Sequence, residues 1–248
     1  MGYFHVQVGS PHYGMEVAAG QAPKVKALNL FGYKSGLGTD WSTVYSTAHP
    51  TIPIDTVMEY NTQSVRYQVQ SSNAADYGMP VLIQGLDSDF NEIFDVVEVN
   101  TLSTNYFYRV NKAVILSGSN LGHIIIRAFG GGGNQNLLIN PTDGVTHSMH
   151  YSVPKNWAFY IFRINATSGT VNSNKYITFK NHVENPFTTP KRIINTAQST
   201  MQNGEATFDR QIPFKVEELT DFSFQAKSSS GDNEFSMFVE GILMQDED

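Results

Sequence analysis

The feature that most constrains this chain is an apolar period of two. Val65, Tyr67 and Val69 alternate with Arg66 and Gln68, and Phe222, Phe224 and Ala226 alternate with Asp221, Ser223 and Gln225. Trp157, Phe159 and Ile161 form one row while Ala158, Tyr160, Phe162 and Ile164 form another. Successive side chains of a strand point to opposite faces, so such rows set one face of a sheet against a core. Pro80-Val81-Leu82-Ile83 and Ala113-Val114-Ile115-Leu116 are apolar at every position and read as strands covered on both faces. Turn chemistry separates the runs, as at Gly36-Leu37-Gly38, Leu86-Asp87-Ser88-Asp89, Ser117-Gly118-Ser119-Asn120 and Pro141-Thr142-Asp143-Gly144. No window of a dozen residues carries a helical stripe. The expected fold is all-β, an antiparallel, jelly-roll-like β-sandwich.

The length, 248 residues, suits one large sandwich or two smaller ones. The four glycines Gly130-Gly131-Gly132-Gly133, followed by Asn134-Gln135-Asn136, carry little to pack and suit a linker. This gives an N-terminal arm over residues 1–23, a first β domain over 24–129, a linker over 130–136 and a second β-sandwich domain over 137–248, in tandem. The alternative is a single large sandwich crossed by a glycine-rich loop. No Gly-Lys-Ser/Thr and no following helix accompany the glycines, so a phosphate loop is not expected there.

Charge narrows the partners. Charged residues are only 16% of the chain, the net charge is −7, and the 16 Lys and Arg are scattered. Without a basic stripe to neutralise phosphates, direct nucleic-acid binding is not expected. Ser, Thr and Asn supply about a quarter of the residues, which favours strands, turns and broad neutral contacts. Cysteine is absent, which removes disulfides, thiolate chemistry and cysteine zinc sites together. The start MGYFHVQVGS shows no secretion signal, Val6 breaks the myristoylation pattern, and the longest apolar runs are too short for a helical membrane span. A soluble protein without membrane contact is the expectation.

Several motifs invite chemistry, and each has a plainer reading. Asp87, Asp89, Asn91 and Glu98 occupy positions 1, 3, 5 and 12 of a calcium loop, but Glu92 stands where that loop needs glycine. A hairpin, with 81–86 running up and 93–99 back, is the expectation. His147 and His150, with Asp143 upstream, would share a face on a helix, whereas a strand separates them and removes joint metal ligation. Ser152-Val153-Pro154-Lys155 matches S-x-x-K, but Pro154 favours an extended segment over the helix that brings Lys back over Ser. Asn165-Ala166-Thr167 is a glycosylation sequon of consequence only in a secreted eukaryotic chain. Trp41, Tyr45 and Trp157 can stack on sugars, yet core or interface packing is the commoner use of such residues. Glu184, Glu205 and Asp209 are available to a hydrolase only if two of them converge. The expected catalytic, cofactor-binding and metal residues are therefore none, and no cofactor is expected.

A resemblance runs through several segments together. Phe31-Gly32-Tyr33-Lys34-Ser35-Gly36-Leu37-Gly38-Thr39 with Thr43-Val44-Tyr45 resembles the start of a family of tailed-bacteriophage virion structural proteins of the marine-phage type. SSNAADYGMPVLIQGLDSDFNEIFDVVEVN (residues 71–100) is similar to its most recognisable stretch, and TNYFYRVNKAVILSGSNLGHIIIR (104–127) continues it. Tyr151-Ser152-Val153-Pro154 with the strand after it, and the ending with Pro213, Glu218-Leu219-Thr220-Asp221 and Phe238-Val239-Glu240-Gly241-Ile242-Leu243, resemble its second half. The likeness spans about residues 25–245. The chain departs from the pattern at Lys155-Asn156-Trp157, where the family tends toward a small-residue turn.

That resemblance implies a non-enzymatic virion component, assembled in the host cytoplasm, that decorates the capsid or joins neck, tail or fibre. Its partners would be other virion proteins and copies of itself, a trimer being favoured. The family brings no catalytic residues. The alternative expectation is a carbohydrate-binding, receptor-recognition module of the virion using Trp41 and Trp157, and a third is a hydrolase of host polysaccharide.

Overall fold

The computed structural model describes residues 11–44, 57–130, 136–169, 176–188, 192–194, 198–202, 204–230 and 233–245, with side chains undescribed at 11–14 and 192–194. Among the described residues the fold is antiparallel and all-β apart from one short helix and a single 3-10 turn. In chain order come α1 (Pro11–Ala18), β1 (Val25–Leu37), β2 (Ser42–Thr43), β3 (Tyr67–Ser71), β4 (Pro80–Leu86), β5 (Glu92–Glu98), β6 (Arg109–Ile115), β7 (Ile124–Ala128) and β8 (Leu137–Ile139). There follow β9 (His150–Ser152), β10 (Trp157–Ser168), β11 (Ile177–Asn185), β12 (Arg192–Ile194), β13 (Gln198–Met201), β14 (Gly204–Val216), β15 (Asp221–Ser228) and β16 (Asn233–Gln245).

These strands build two sandwiches, one nested within the other. The outer sandwich stacks the sheet β1-β16-β10-β14 on the sheet β12-β11-β15-β2, whose strand β15 also pairs β9 and whose β11 also pairs β13. Its core is aromatic, because the inward rows of β10, β11, β15 and β16 are rich in Phe. Phe159 meets Phe222 at 5.9 Å between ring centres, and Phe179 meets Phe235 at 5.7 Å. Along β16 the inward row is Phe235, Met237, Val239, Gly241 and Leu243, a strict period of two. Gly241 is required there, since a Cβ would stand 2.5 Å from both the Tyr160 carbonyl oxygen and the Phe159 ring.

The inner sandwich, residues 58–146, stacks the sheet β3-β7-β8 on the sheet β5-β4-β6. Tyr67, Val69, Ile124 and Ile126 on one side meet Val81, Ile83, Val97 and Ala113 on the other. Entry and exit strands lie end to end on one edge of β15, with Thr43 opposite Gln225 and Ser152 opposite Asp221. Met149 N–H donates to the Val44 carbonyl at 2.8 Å and closes the neck of the insertion. Gly32 passes beneath that neck, where a Cβ would stand 2.7 Å from the same carbonyl oxygen.

The sandwiches are thus nested rather than in tandem, and the boundary expected at residues 130–136 is corrected. The strands flanking it, β7 and β8, pair with each other from Ile124↔Ile139 to Ile126↔Leu137. Residues 131–135 themselves lie outside the described residues. Strand β1, expected in a first domain, pairs β16 over its whole length, from Val25↔Met244 to Leu37↔Asn233. Within the expected arm, residues 1–10 are undescribed, while Val17 and Ala22 pack with Val25 against Ile242 and Met244. No helix among the described residues is long and apolar enough to cross a membrane.

Candidate functional site

The two sandwiches are joined by a buried ion pair. Arg109, on β6, reaches across to Asp221, on β15, with Nε donating at 2.9 and 3.1 Å and Nη2 at 2.8 Å. Nη1 donates to the carbonyls of Asn61 at 2.7 Å and Tyr108 at 2.9 Å. The guanidinium lies over the rings of Tyr108, 4.0 Å away, and Tyr60, 4.9 Å away. Ser152 Oγ donates to Asp221 Oδ1 at 2.5 Å. Side-chain exposure is 2% for Arg109 and 1% for Asp221, so no substrate reaches either group. Burial pushes the Asp221 carboxyl upward, against the hydrogen bonds from Arg109 and Ser152 that favour its charged form. Burial works against the Arg109 charge too, but Asp221 outweighs it and raises the guanidinium further. The pair is a positioning device: it fixes the inner sandwich at one angle to the outer one.

That fixed angle leaves a cleft of about 750 Å³ between β1 and the outer face of the β5-β4-β6 sheet. Lys26 on β1 bridges it to Glu92 on β5 at 2.6 Å. His147 stands edge-on to Phe31 at 5.2 Å on its far wall. From the cleft, whose lining includes Phe94, Gln84 and Lys112, the sheet face continues outward as an apolar surface. Phe94 is 69% exposed, Val96 53% and Leu116 51%, with Leu82 and Val114 half-buried beside them. Cross-strand register sets three rows: Phe94-Gln84-Lys112, then Val96-Leu82-Val114, then Glu98-Pro80, beside which Leu116 N–H donates to the Pro80 carbonyl. The strands expected to be covered on both faces are therefore covered on one. Val81, Ile83, Ala113 and Ile115 face the core, while Leu82, Val114 and Leu116 face outward.

The sequence candidates fall apart in space. Asp87 caps the β4–β5 turn, its Oδ1 accepting from Asp89 N and Asn91 N at 2.9 Å each. Glu98 pairs Pro80 at the opposite end of that hairpin, so the calcium-loop oxygens do not gather. His150 is fully buried, its Nε2–H donating to the Val110 carbonyl at 2.8 Å while Nδ1 accepts from Ser148 Oγ. Burial pushes its pKa down to about 4 and keeps it neutral. His147 lies instead on the cleft wall, 3.8 Å from Asp143. Ser152 serves Asp221, and Lys155 stands in a turn rather than the extended segment expected. Trp157 N–H donates to the Pro154 carbonyl at 3.2 Å, and Lys155 N–H to the Phe90 carbonyl at 2.9 Å. Asn165 and Thr167 sit in mid-strand on β10.

The aromatic candidates carry cations. Trp41 holds the Lys180 ammonium 4.2 Å and the Lys227 ammonium 5.0 Å from its ring centre, and Trp157 holds Lys26 at 4.3 Å. Tyr45 lies outside the described residues. Glu205 and Asp209 are four residues apart on β14, about 13 Å along a strand and beyond glycosidase range. Asp209 is also held by Arg163 at 2.5 Å, and Glu184 lies in the other sheet beside His182 at 3.5 Å. Among the described residues no group of three His, Asp or Glu is placed to hold a metal ion.

Sequence reasoning missed Arg109 and the open face. Arg109 carries no local signal, because its partner is 112 positions away. The face did leave one: in Ile93-Phe94-Asp95-Val96-Val97 both rows carry large apolar residues, Asp95 alone excepted. Compared with protein-family models, characterised proteins and solved structures, the chain matches none. What the fold and surface define is an all-β, nested double sandwich with an unpartnered apolar sheet face.

Proposed function

We propose that this chain is a non-enzymatic structural component of a tailed-phage virion, a capsid decoration or a neck, tail or fibre attachment, acting through subunit contacts. One observation carries the reading. Leu82, Val114 and Leu116 belong to strands whose pattern asks for cover on both faces, and the folded chain covers only one. An apolar sheet face left open in this way marks a protein interface. The stretch most similar to phage structural proteins, residues 71–100, contains β4 and β5, and its continuation, 104–127, contains β6, so the two together build that face. A wide neutral contact needs no charged site, in keeping with the low charge content of the chain.

The test is the abundance of this chain in purified particles, by quantitative mass spectrometry against the major capsid protein. A copy number near that of the capsid protein assigns decoration, and a dozen to a few dozen copies assigns neck, tail or fibre. Absence from washed particles overturns the proposal.

A further inference from the structure

We infer that the open face of the β5-β4-β6 sheet closes on the same face of a second copy of this chain, about a two-fold axis lying along the diagonal Phe94–Leu82–Leu116. The inference rests on reading this face as a subunit interface, and names the partner.

The argument is charge complementarity. The face is a grid of three strands by three rows, with Phe94 and Lys112 at the ends of one outer row and Glu98 and Leu116 at the ends of the other. Its two charges therefore sit on opposite corners, and Phe94 and Leu116, two of its three exposed apolar ends, on the other corners. Glu92, the next outward residue of β5, lies in the cleft tied to Lys26. Among the described residues neither Lys112 nor Glu98 has an ion-pair partner. Two identical faces meeting about an in-plane axis have four simple choices. An axis along the strands sets Lys112 on Phe94 and Glu98 on Leu116 of the other copy. An axis across the strands sets Lys112 on Leu116 and Glu98 on Phe94. The diagonal through Lys112 and Glu98 sets each charge on its own like. Only the remaining diagonal sets Lys112 against Glu98, twice by symmetry, while Phe94, Leu82 and Leu116 each meet their own counterparts.

That axis crosses the strands of the two copies near a right angle, one of the two preferred ways for sheets to stack. It is also isologous, so it closes a pair and leaves no open end. The cleft wall formed by β1 then stands beside the free edge of β5 in the partner copy and shields it.

Sedimentation equilibrium of the full chain tests it, with a mass of twice 27.6 kDa expected. Lys112→Glu and Glu98→Lys should each raise the dissociation constant roughly ten-fold or more, and the double exchange should return it to within about three-fold of the parent. Both substitutions are on the outer face, and circular dichroism checks that each of the three variants is folded. The chain holds no cysteine, so single cysteines report the axis without background. Facing sheets stand about 10 Å apart, beyond a disulfide's reach, so a short bismaleimide is the linker. Lys112→Cys and Glu98→Cys chains should cross-link when mixed and not when each is alone, whereas Phe94→Cys should cross-link to itself. A monomer, a trimer, a dimer indifferent to charge reversal, or Lys112→Cys linking to itself overturns the inference. None of these outcomes alters the copy number in particles, so the failure of this pairing and that of the virion assignment are separately visible.

Discussion

Replacing Asp221 by alanine removes the acceptor of three Arg109 hydrogen bonds and of the Ser152 hydroxyl, and strands a guanidinium that is 2% exposed. A buried charge left without its partner costs about 3–5 kcal/mol, a large share of the roughly 5–15 kcal/mol by which a domain is stable. Arg109→Met should cost a comparable amount, since it leaves the Asp221 carboxylate buried and frees the Asn61 and Tyr108 carbonyls. The double variant Arg109→Met/Asp221→Leu removes both charges at once and restores apolar volume. Its loss should therefore be at least about 2 kcal/mol smaller than the sum of the two single losses. Equilibrium urea unfolding, followed by near-ultraviolet circular dichroism, measures all three. Single losses below about 1 kcal/mol, or a double loss equal to their sum, would refute the view that this pair locks the two sandwiches together.

Three further outcomes follow from the same geometry. His150 is held neutral with a pKa of about 4 against an ordinary 6.5, so its contribution is complete above pH 6.5. It is lost as pH falls from 6.5 toward 4, where the unfolded chain takes up a proton that the folded chain refuses, a loss on the order of 3 kcal/mol. The acid limb of stability against pH should flatten in His150→Asn, and an unchanged limb would contradict this. Gly241→Ala forces a methyl to 2.5 Å from the Phe159 ring and the Tyr160 carbonyl, and should lower stability by about 1–3 kcal/mol in a thermal melt. Glu92→Gln, breaking a pair whose side chains are 46–47% exposed, should change stability by less than about 1 kcal/mol, with the difference vanishing in high salt.

How much of this was legible in the sequence depends on the range of each interaction. The β4–β5 hairpin was plain, because Asp87 and the alternation around it act within a dozen residues. The inward row of β15 was equally plain, being fixed by the two-residue period. That of β10 instead breaks at a bulge between Ile161 and Arg163, which turns Ile164 into the core beside Phe159 and Ile161 rather than onto the opposite face. The nesting was not plain. It depends on Val25 finding Met244 and on Arg109 finding Asp221, and no local pattern encodes such pairings. The glycine run was misleading, because few side chains mark a connection between paired neighbours as readily as a boundary. Helix α1 is only 8 residues, shorter than the window in which a helical stripe declares itself. Of the functional surface, the sequence showed that β4 and β6 are apolar on both faces. Which face stays open depends on where the outer sandwich lies.

The most direct test of the account is hydroxyl-radical footprinting of Phe94 in intact particles, with Phe187 of the same chain as internal standard. The free chain exposes Phe94 at 69% and Phe187 at 53%, so in isolation Phe94 is the more accessible ring. If the β5-β4-β6 face is a subunit interface, Phe94 should oxidise several-fold more slowly than Phe187 in the particle. If Phe94 oxidises as fast as Phe187 or faster, that face is bare in the assembly and the account is wrong.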